Sequence, residues 1–143
     1  MSERSRAQIP VREGLFTVAT DGSPRLLGGR CDRCGEHHFP RTEWCPYCSV
    51  DEVTEVQLSD TGALLAWTAV TAPPPGYRGE APFGFGVVEL PERIRVITRI
   101  SEPDPSRLRR DEAMRLEIVP LHDDEDGRPV VTYAFAPAEH DHD

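Results

Sequence analysis

The sequence contains no lysine, and all sixteen of its basic residues are arginine. We interpret this as a bias of genome composition, although arginine also suits bidentate contacts to phosphate. No apolar run approaches the roughly 20 residues that cross a bilayer, so no membrane association is expected. The first fourteen residues lack the apolar segment of a secretory signal. We therefore expect a cytoplasmic protein.

Recognisable catalytic motifs are also missing. The sequence has no G-x-S-x-G, no H-E-x-x-H, no glycine-rich phosphate loop and no dinucleotide fingerprint. His122, His140 and His142 fall in an acidic turn and in the tail. A pair of carboxylates is no evidence for catalysis here, because a chain with 25 acidic residues always offers one. These absences favour a binding or subunit protein over an enzyme.

The whole chain has a formal net charge of −9, and the negative charge is concentrated after residue 48. Seven arginines and six acids occur through residue 48, whereas nine arginines and nineteen acids follow. Such a surface repels nucleic-acid phosphates, which bind to clustered cations. With 143 residues and 38% hydrophobic composition, the chain suits a small module attached to one modest domain.

Four cysteines form two Cys-x-x-Cys knuckles separated by ten residues. In a reducing compartment this pairing indicates metal binding rather than disulfides. Four thiolates suit a tetrahedral zinc ion and leave no open position for a substrate. A redox pair would explain one knuckle but not two. Rubredoxin-type iron fits the four ligands as well as zinc does, and zinc is preferred only because it is the commoner metal at such sites. The predicted ligands are Cys31, Cys34, Cys45 and Cys48.

The residues around these knuckles predict a small zinc ribbon. Gly35 is expected to take the left-handed conformation that such a turn needs. His37 and His38 are interpreted as surface histidines of the ribbon loop. A ribbon of about 25 residues buries little surface, so the metal should supply part of its folding free energy. Its small core, and its packing against the next domain, are assigned to Phe39, Trp44 and Tyr47.

The remaining sequence predicts strands. LFTVAT and RLLGGRC flank a tight turn at Asp21–Gly22, which predicts a β-hairpin. Later stretches alternate with a period of two, as strands with one solvated face do. Five main strands suggest a closed barrel of the OB type, with a small β-sandwich as the alternative. The apolar stretches are 53–58, 63–71, 83–90, 94–100, 114–120 and 130–135.

Connections and domain limits follow from the turn residues. Leu90–Ile94 is predicted to be a hairpin turn and His122–Arg128 an acidic turn. Pro105–Glu112 is predicted to form one or two helical turns, capped by Asp104 or Ser106. The predicted organisation is a mainly β chain with four parts. They are an N-terminal extension with a β-hairpin (1–25, loose through 13), a rubredoxin-like zinc ribbon (26–52), a five-stranded OB-fold (53–137) and a disordered tail (138–143).

Four segments together resemble a known family. They are GGRCDRCGEHHFPRTEWCPYCS, DTGALLAWTAV, PPPGYRGEAPFGFGVVEL and RIRVITRI. In order and spacing they are similar to the zinc-ribbon plus OB-fold proteins termed acyl-CoA-associated, formerly a domain of unknown function. The resemblance covers about residues 26–137. It implies a non-catalytic subunit that binds a thiolase, acyl-CoA aldolase or acyltransferase, in some cases with a hot-dog hydratase, and that helps bind or channel a CoA thioester.

The loop Ala72–Pro82 is the candidate contact for acyl-CoA or for the partner. Its prolines stiffen it, and an aromatic residue and an arginine at its tip suit an adenine ring, a phosphate or a protein surface. An ordered barrel connection is the alternative. Arg93, Arg95 and Arg99 are interpreted as a solvated strand face, with CoA phosphate contacts as the alternative. The candidate contact residues are Pro75, Gly76, Tyr77, Arg78 and Phe83.

Two other functions remain open at this point. A single-stranded nucleic-acid binder would share the ribbon and the barrel, but the acidic barrel half disfavours it. A standalone acyl-CoA carrier is the third possibility. The residues do not identify the acyl group.

Overall fold

Strands account for nearly all regular structure in the computed structural model, which describes residues 8–72, 74–79 and 81–138. The expectations for residues 1–7 and for most of the tail, 139–143, lie outside these ranges. Within them, ten strands and one turn of 3-10 helix are formed. The strands are β1 (Ile9–Pro10), β2 (Phe16–Val18), β3 (Pro24–Cys31), β4 (His37–His38), β5 (Val53–Gln57), β6 (Thr61–Val70), β7 (Phe83–Glu89), β8 (Arg95–Ile100), β9 (Ala113–Asp123) and β10 (Pro129–Pro137).

Five of the strands close into a barrel, as the sequence predicted. The ring runs β6–β7–β8–β10–β9 and returns to β6 through the β6–β9 pair. Its pairs are antiparallel except β8–β10, which is parallel. Closure gives each of the five strands a partner on both sides over part of its length. Segment 1–13 was expected to be loose, but β1 pairs with β10, and the Val11 N–H donates to the Val131 carbonyl at 2.7 Å.

The period-two pattern is confirmed on β7 and β8. On β8, Val96, Thr98 and Ile100 are buried and Arg95 is exposed. On β7 the glycines and Val88 face inward, whereas the two phenylalanines face outward or lie half-buried. Gly86 is needed there because a Cβ would lie 2.3 Å from the Ala66 carbonyl oxygen on β6.

The zinc ribbon forms the second sheet around β3. β2 and β3 form the predicted hairpin, in register Phe16↔Leu26. β4 pairs with one edge of β3, and β5 pairs with the other. The sequence pattern assigned stretch 53–58 to the barrel, but the hydrogen bonds of β5 go to β3. This strand therefore completes the ribbon sheet, since β3 would otherwise have an open edge.

One apolar core joins ribbon and barrel. Leu26 and Leu58 are fully buried, and the Leu58 N–H donates to the Leu26 carbonyl at 2.9 Å. They pack in the same cluster as the barrel residues Leu64, Met114 and Phe135. The ribbon therefore rests on the end of the barrel core.

The predicted connections are present. The Leu90 N–H donates to the Ile94 carbonyl at 2.9 Å, which closes the β7–β8 turn. In the acidic turn, Asp124 Oδ1 accepts the N–H groups of Asp126 and Arg128. The helical segment is a single 3-10 turn, Pro105–Arg107, with Asp104 as its N-cap. None of the helices in the described ranges is long and apolar enough to cross a membrane.

Candidate functional site

The four cysteine sulfurs converge at the tip of the ribbon. All four Sγ atoms lie within 4.8 Å of one another. Cys31 and Cys48 are 3.5 Å apart, and Cys34 and Cys45 are 3.6 Å apart. Zinc–sulfur bonds of about 2.3 Å place tetrahedral ligands about 3.8 Å apart. The cluster therefore fits a tetrahedral ion with these four residues as its ligands.

Backbone N–H groups stabilise one thiolate in each knuckle. Cys31 Sγ accepts from the N–H groups of Arg33 and Cys34, each at 3.3 Å. Cys45 Sγ repeats the arrangement at 3.3 and 3.4 Å. Such donors favour the charged sulfur that a metal binds.

The turn after each knuckle is left-handed. Gly35 has a φ of 81°, as predicted, and its N–H donates to the Cys31 carbonyl at 2.9 Å. Ser49 stands at the equivalent position of the second knuckle, with a φ of 69° and the same bond to Cys45. A non-glycine residue pays a steric cost in this region.

The two thiols of the first knuckle have pKa values shifted in opposite directions. The Cys34 N–H, together with that of Arg33, lowers the pKa of Cys31 to about 6. The Glu36 N–H favours the Cys34 thiolate, but partial desolvation of the sulfur and the neighbouring cysteines outweigh it and raise that pKa to about 12.

The second knuckle shows the same division. Burial opposes ionisation of Cys45, but the N–H groups of Cys48 and Tyr47 lower its pKa. The N–H of Val50 favours the Cys48 thiolate, yet partial desolvation and the sulfurs of Cys31 and Cys45 raise its pKa. Four adjacent thiolates repel one another, and a bound divalent cation supplies the charge that keeps all four ionised.

His38 differs from its predicted surface position. Its side chain is 4% exposed, and its Nε2 accepts the Thr42 N–H at 3.3 Å. Gly29 makes room for the ring, because a Cβ there would lie 2.5 Å from Nε2. Burial lowers the pKa of His38 below 6.5. His38 packs behind the ribbon loop and is not part of the sulfur cluster.

The aromatic residues of the ribbon also depart from the prediction. Trp44 is 59% and Tyr47 is 63% exposed, so neither belongs to a ribbon core. Phe39 does pack against the barrel, with its ring edge on Tyr133 at 5.6 Å. The physical reason is space, since residues 43–48 curve around the metal site and leave no interior for two large rings.

The barrel loop turns its aromatic side chain back onto the barrel. Tyr77 stacks on Phe83 with ring centroids 4.9 Å apart. The guanidinium of Arg99 lies 4.4 Å from the Phe83 centroid and donates to the Tyr77 hydroxyl at 2.9 Å. We call these three residues the loop clasp. The sequence singled out each member, but their contact is a consequence of the β7–β8 pairing.

The other candidate residues of the loop lie outside the clasp. Pro75 and Gly76 are exposed, and Gly76 has a φ of 87°. The exposed Arg78 donates from Nη2 to the Asp123 carbonyl at 3.3 Å. Phe83 and Arg99 also line a cleft of about 280 Å³. Ser101, which hydrogen-bonds to Glu117, lies on its wall and carries no sequence signal of its own.

Comparison with known proteins identifies both domains. Residues 22–54 match the family profile "ChsH2, rubredoxin-like zinc ribbon domain". Residues 55–119 match the profile "ChsH2, C-terminal OB-fold domain". The resemblance drawn from the motifs is therefore confirmed.

Relatives share most of the chain. The benzoylsuccinyl-CoA thiolase subunit BbsA of Thauera aromatica is 33% identical over 122 residues, which cover 85% of this chain and 83% of the relative. A DUF35 domain-containing scaffold protein of Pyrococcus furiosus is 33% identical over 79% of this chain and 83% of its own length.

A solved structure has the same fold. The Ltp2-ChsH2(DUF35) aldolase superposes with a TM-score of 0.63 at 24% identity, covering 80% of this chain and 85% of the matched chain. Because both profiles match in the order of the two domains, and relatives reach 33% identity over most of the chain, this protein belongs to the ChsH2 family of zinc-ribbon and OB-fold proteins.

Proposed function

We propose that this chain is a non-catalytic accessory subunit of an acyl-CoA-processing complex. In this proposal a thiolase-superfamily partner, a thiolase, acyl-CoA aldolase or acyltransferase, performs the carbon–carbon or acyl-transfer chemistry. The observation that carries it is the 33% identity to a benzoylsuccinyl-CoA thiolase subunit across 85% of the chain. The partner and this chain form a hetero-oligomer.

The geometry of the metal site supports a structural role. All four cysteines of the chain belong to the sulfur cluster, so none is left as a nucleophile. Four thiolates close the coordination shell of zinc, whereas catalytic zinc keeps an open position. The ion acts by holding the two knuckles of the ribbon together.

Complex formation is the test. The chain is co-expressed with thiolase-superfamily proteins of the same genome, and each mixture is analysed by size exclusion with light scattering. We expect co-elution at a mass that contains both chains. Separate elution of two folded proteins over micromolar concentrations would contradict the proposal.

A finer part of the proposal concerns the CoA thioester. The loop residues Pro75, Gly76, Tyr77, Arg78 and Phe83 contribute to its binding together with the partner. Support comes from the exposed guanidinium of Arg78 and from the cleft beside Phe83 and Arg99. A hot-dog hydratase is a further candidate partner for handing on the thioester.

Calorimetric titration with acetyl-CoA separates this proposal from a standalone carrier. We expect little or no binding by the isolated chain and measurable binding by the complex. Arg78→Ala should weaken binding by the complex several-fold, since a phosphate contact is lost. Tight binding by the isolated chain would favour the carrier.

Nucleic-acid binding is the second candidate, because Phe85, Arg95 and Arg99 lie on strands that OB-folds use for oligonucleotides. The acidic turn between β9 and β10 opposes it, since carboxylates repel phosphates. We expect no change in the fluorescence anisotropy of labelled oligothymidylate at about 150 mM salt. Saturable, salt-dependent binding would favour this alternative.

A further inference from the structure

The outward side of three barrel strands carries an apolar surface. The strand registers align Ala66, Val87 and Ile97 in one row across β6, β7 and β8. The next row contains Thr68 and Phe85. We call this surface the β6–β8 face; it consists of Ala66, Thr68, Phe85, Val87, Arg95 and Ile97.

Large side chains on this face are in contact with water. Ile97 is 61% and Phe85 is 37% exposed. Together with the edges of Trp67 and Gly86 they line a shallow groove of about 360 Å³. A contiguous apolar surface of this kind marks an interaction site, whereas single exposed hydrophobic residues do not.

The rim of the face is basic although the chain is acidic. Arg95 and Arg99 flank Ile97 on β8, and Arg110 reaches β6 by donating to the Leu65 carbonyl at 3.3 Å. In the paired rows of β6–β8, Glu89 is the carboxylate, and it stands opposite Arg95. Within these rows two arginines, Arg95 and Arg99, stand against one carboxylate, on a chain of net charge −9.

This charge pattern narrows the choice of occupant. A second copy bound face to face would bring two arginine-rich rims together, and an isologous contact places the same patch on both sides. Single-stranded nucleic acid on this face would approach the acidic turn Asp123–Asp126, since Asp123 and Arg99 line one cleft. A protein surface with an apolar centre and carboxylates around it satisfies both the groove and the rim.

We propose that the β6–β8 face is the surface on which the thiolase-superfamily partner docks, through an apolar patch bordered by carboxylates. The inference rests on the proposed function, since it assigns a position on this chain to that complex. In the complex, Ile97 and Phe85 become the buried centre of the interface, where binding energy is concentrated. Arg95 lies at the rim and acts mainly on the rate of association.

The test measures the dissociation constant between this chain and the thiolase-superfamily protein that co-elutes with it. Ile97→Glu and Phe85→Ala should each weaken binding at least about tenfold. Arg95→Glu should slow association, most strongly at low salt. Val18→Glu, which also places a carboxylate on an exposed apolar residue but in β2, is the matched control and should bind as the wild type does. Metal content and thermal unfolding show that each variant is folded.

The outcomes separate this inference from the proposed function. A wild-type complex that Ile97→Glu leaves intact overturns the docking surface alone, especially if Trp44→Ser with Tyr47→Ser abolishes binding. No wild-type complex overturns the proposed function and the docking surface with it. A wild-type dimer that Ile97→Glu dissociates, or oligothymidylate binding that Phe85→Ala removes, assigns the face to another occupant and also overturns the inference.

Discussion

Single residues at the ribbon tip determine how the metal is held. Cys31 and Cys45 are buried and accept backbone N–H groups, whereas Cys34 and Cys48 are exposed. The exposed pair has raised pKa values, so its ionisation depends on the bound cation. Loss of one ligand from this pair should remove the ion without leaving a cavity in the core.

Cys34→Ser should therefore lose the metal. We expect the metal content to fall from about one ion per chain to near zero, since a serine hydroxyl is a poor zinc ligand. Elemental analysis measures this and also distinguishes zinc from iron. The control is Ser49→Gly, which relieves a left-handed residue and should keep the metal while raising stability by up to about 1 kcal/mol. Full metal content in Cys34→Ser would contradict the ligand assignment.

His38 should make the stability of the protein depend on pH. Burial lowers its pKa in the folded chain, so below pH 6.5 the unfolded chain takes up the proton first. The free energy of unfolding should then decrease as pH falls through and below that value. The contribution of the neutral His38 to the free energy of unfolding is fully present well above pH 6.5.

Denaturant unfolding between pH 5.5 and 8 checks this dependence. His38→Gln retains an acceptor for the Thr42 N–H and does not titrate, so its profile should be flatter than that of the wild type. Parallel profiles for wild type and His38→Gln would show that another group is responsible.

At the scale of elements, the loop clasp decides how freely the β6–β7 loop moves. Its contacts join the loop to β7 and β8, both of which belong to the closed barrel. Aromatic stacking and the Arg99 contact therefore restrict the segment that carries Arg78. The restricted loop should therefore be cleaved slowly by trypsin.

Tyr77→Ala should make the chain more sensitive to trypsin after Arg78. Without the ring, the loop loses its stack on Phe83 and its bond to Arg99, and cleavage should accelerate several-fold. Tyr77→Phe keeps the stack and loses the hydrogen bond, so its rate should lie between the two. Mass spectrometry of the digest identifies the bond. Equal rates in all three proteins would show that the clasp does not restrain the loop.

At the scale of the whole molecule, ribbon and barrel share a core but differ in what stabilises them. The barrel is a closed ring of hydrogen-bonded strands, whereas the ribbon strands depend on the tip held by the four sulfurs. Because Leu26 and Leu58 pack in the barrel core, unfolding of the ribbon would also remove contacts from that core. Metal removal should therefore act first on one half of the molecule.

Chelation should melt the N-terminal half of the chain. Amide hydrogen exchange should lose protection in β2–β5, while β6–β10 keep most of theirs. Restoring zinc should restore the protection. Unchanged exchange after complete metal removal, verified by elemental analysis, would show that the ribbon folds without the ion.

Sequence reasoning was most successful where spacing alone carries the chemistry. The two knuckles and the left-handed Gly35 follow from local patterns, because each depends on neighbours within a few residues. The barrel was inferred from the number and spacing of the strands, whereas the pairings that close it join residues distant in the chain. The positions of Trp44 and Tyr47 were predicted wrongly. Large aromatic residues are usually buried, but a ribbon bent around a metal has no interior to receive them.

The sequence by itself determined the sulfur cluster, the strand periods and the family. Tertiary structure decided which side of each strand faces the core. A period of two defines two faces but does not say which of them is buried. At position 86 of β7 the close approach of β6 leaves room only for glycine on the inner side. Phe85 is therefore turned outward beside Ile97. Pairing across strands also brought Arg99 to Tyr77 and β5 to β3, since such contacts join residues that are distant in the chain.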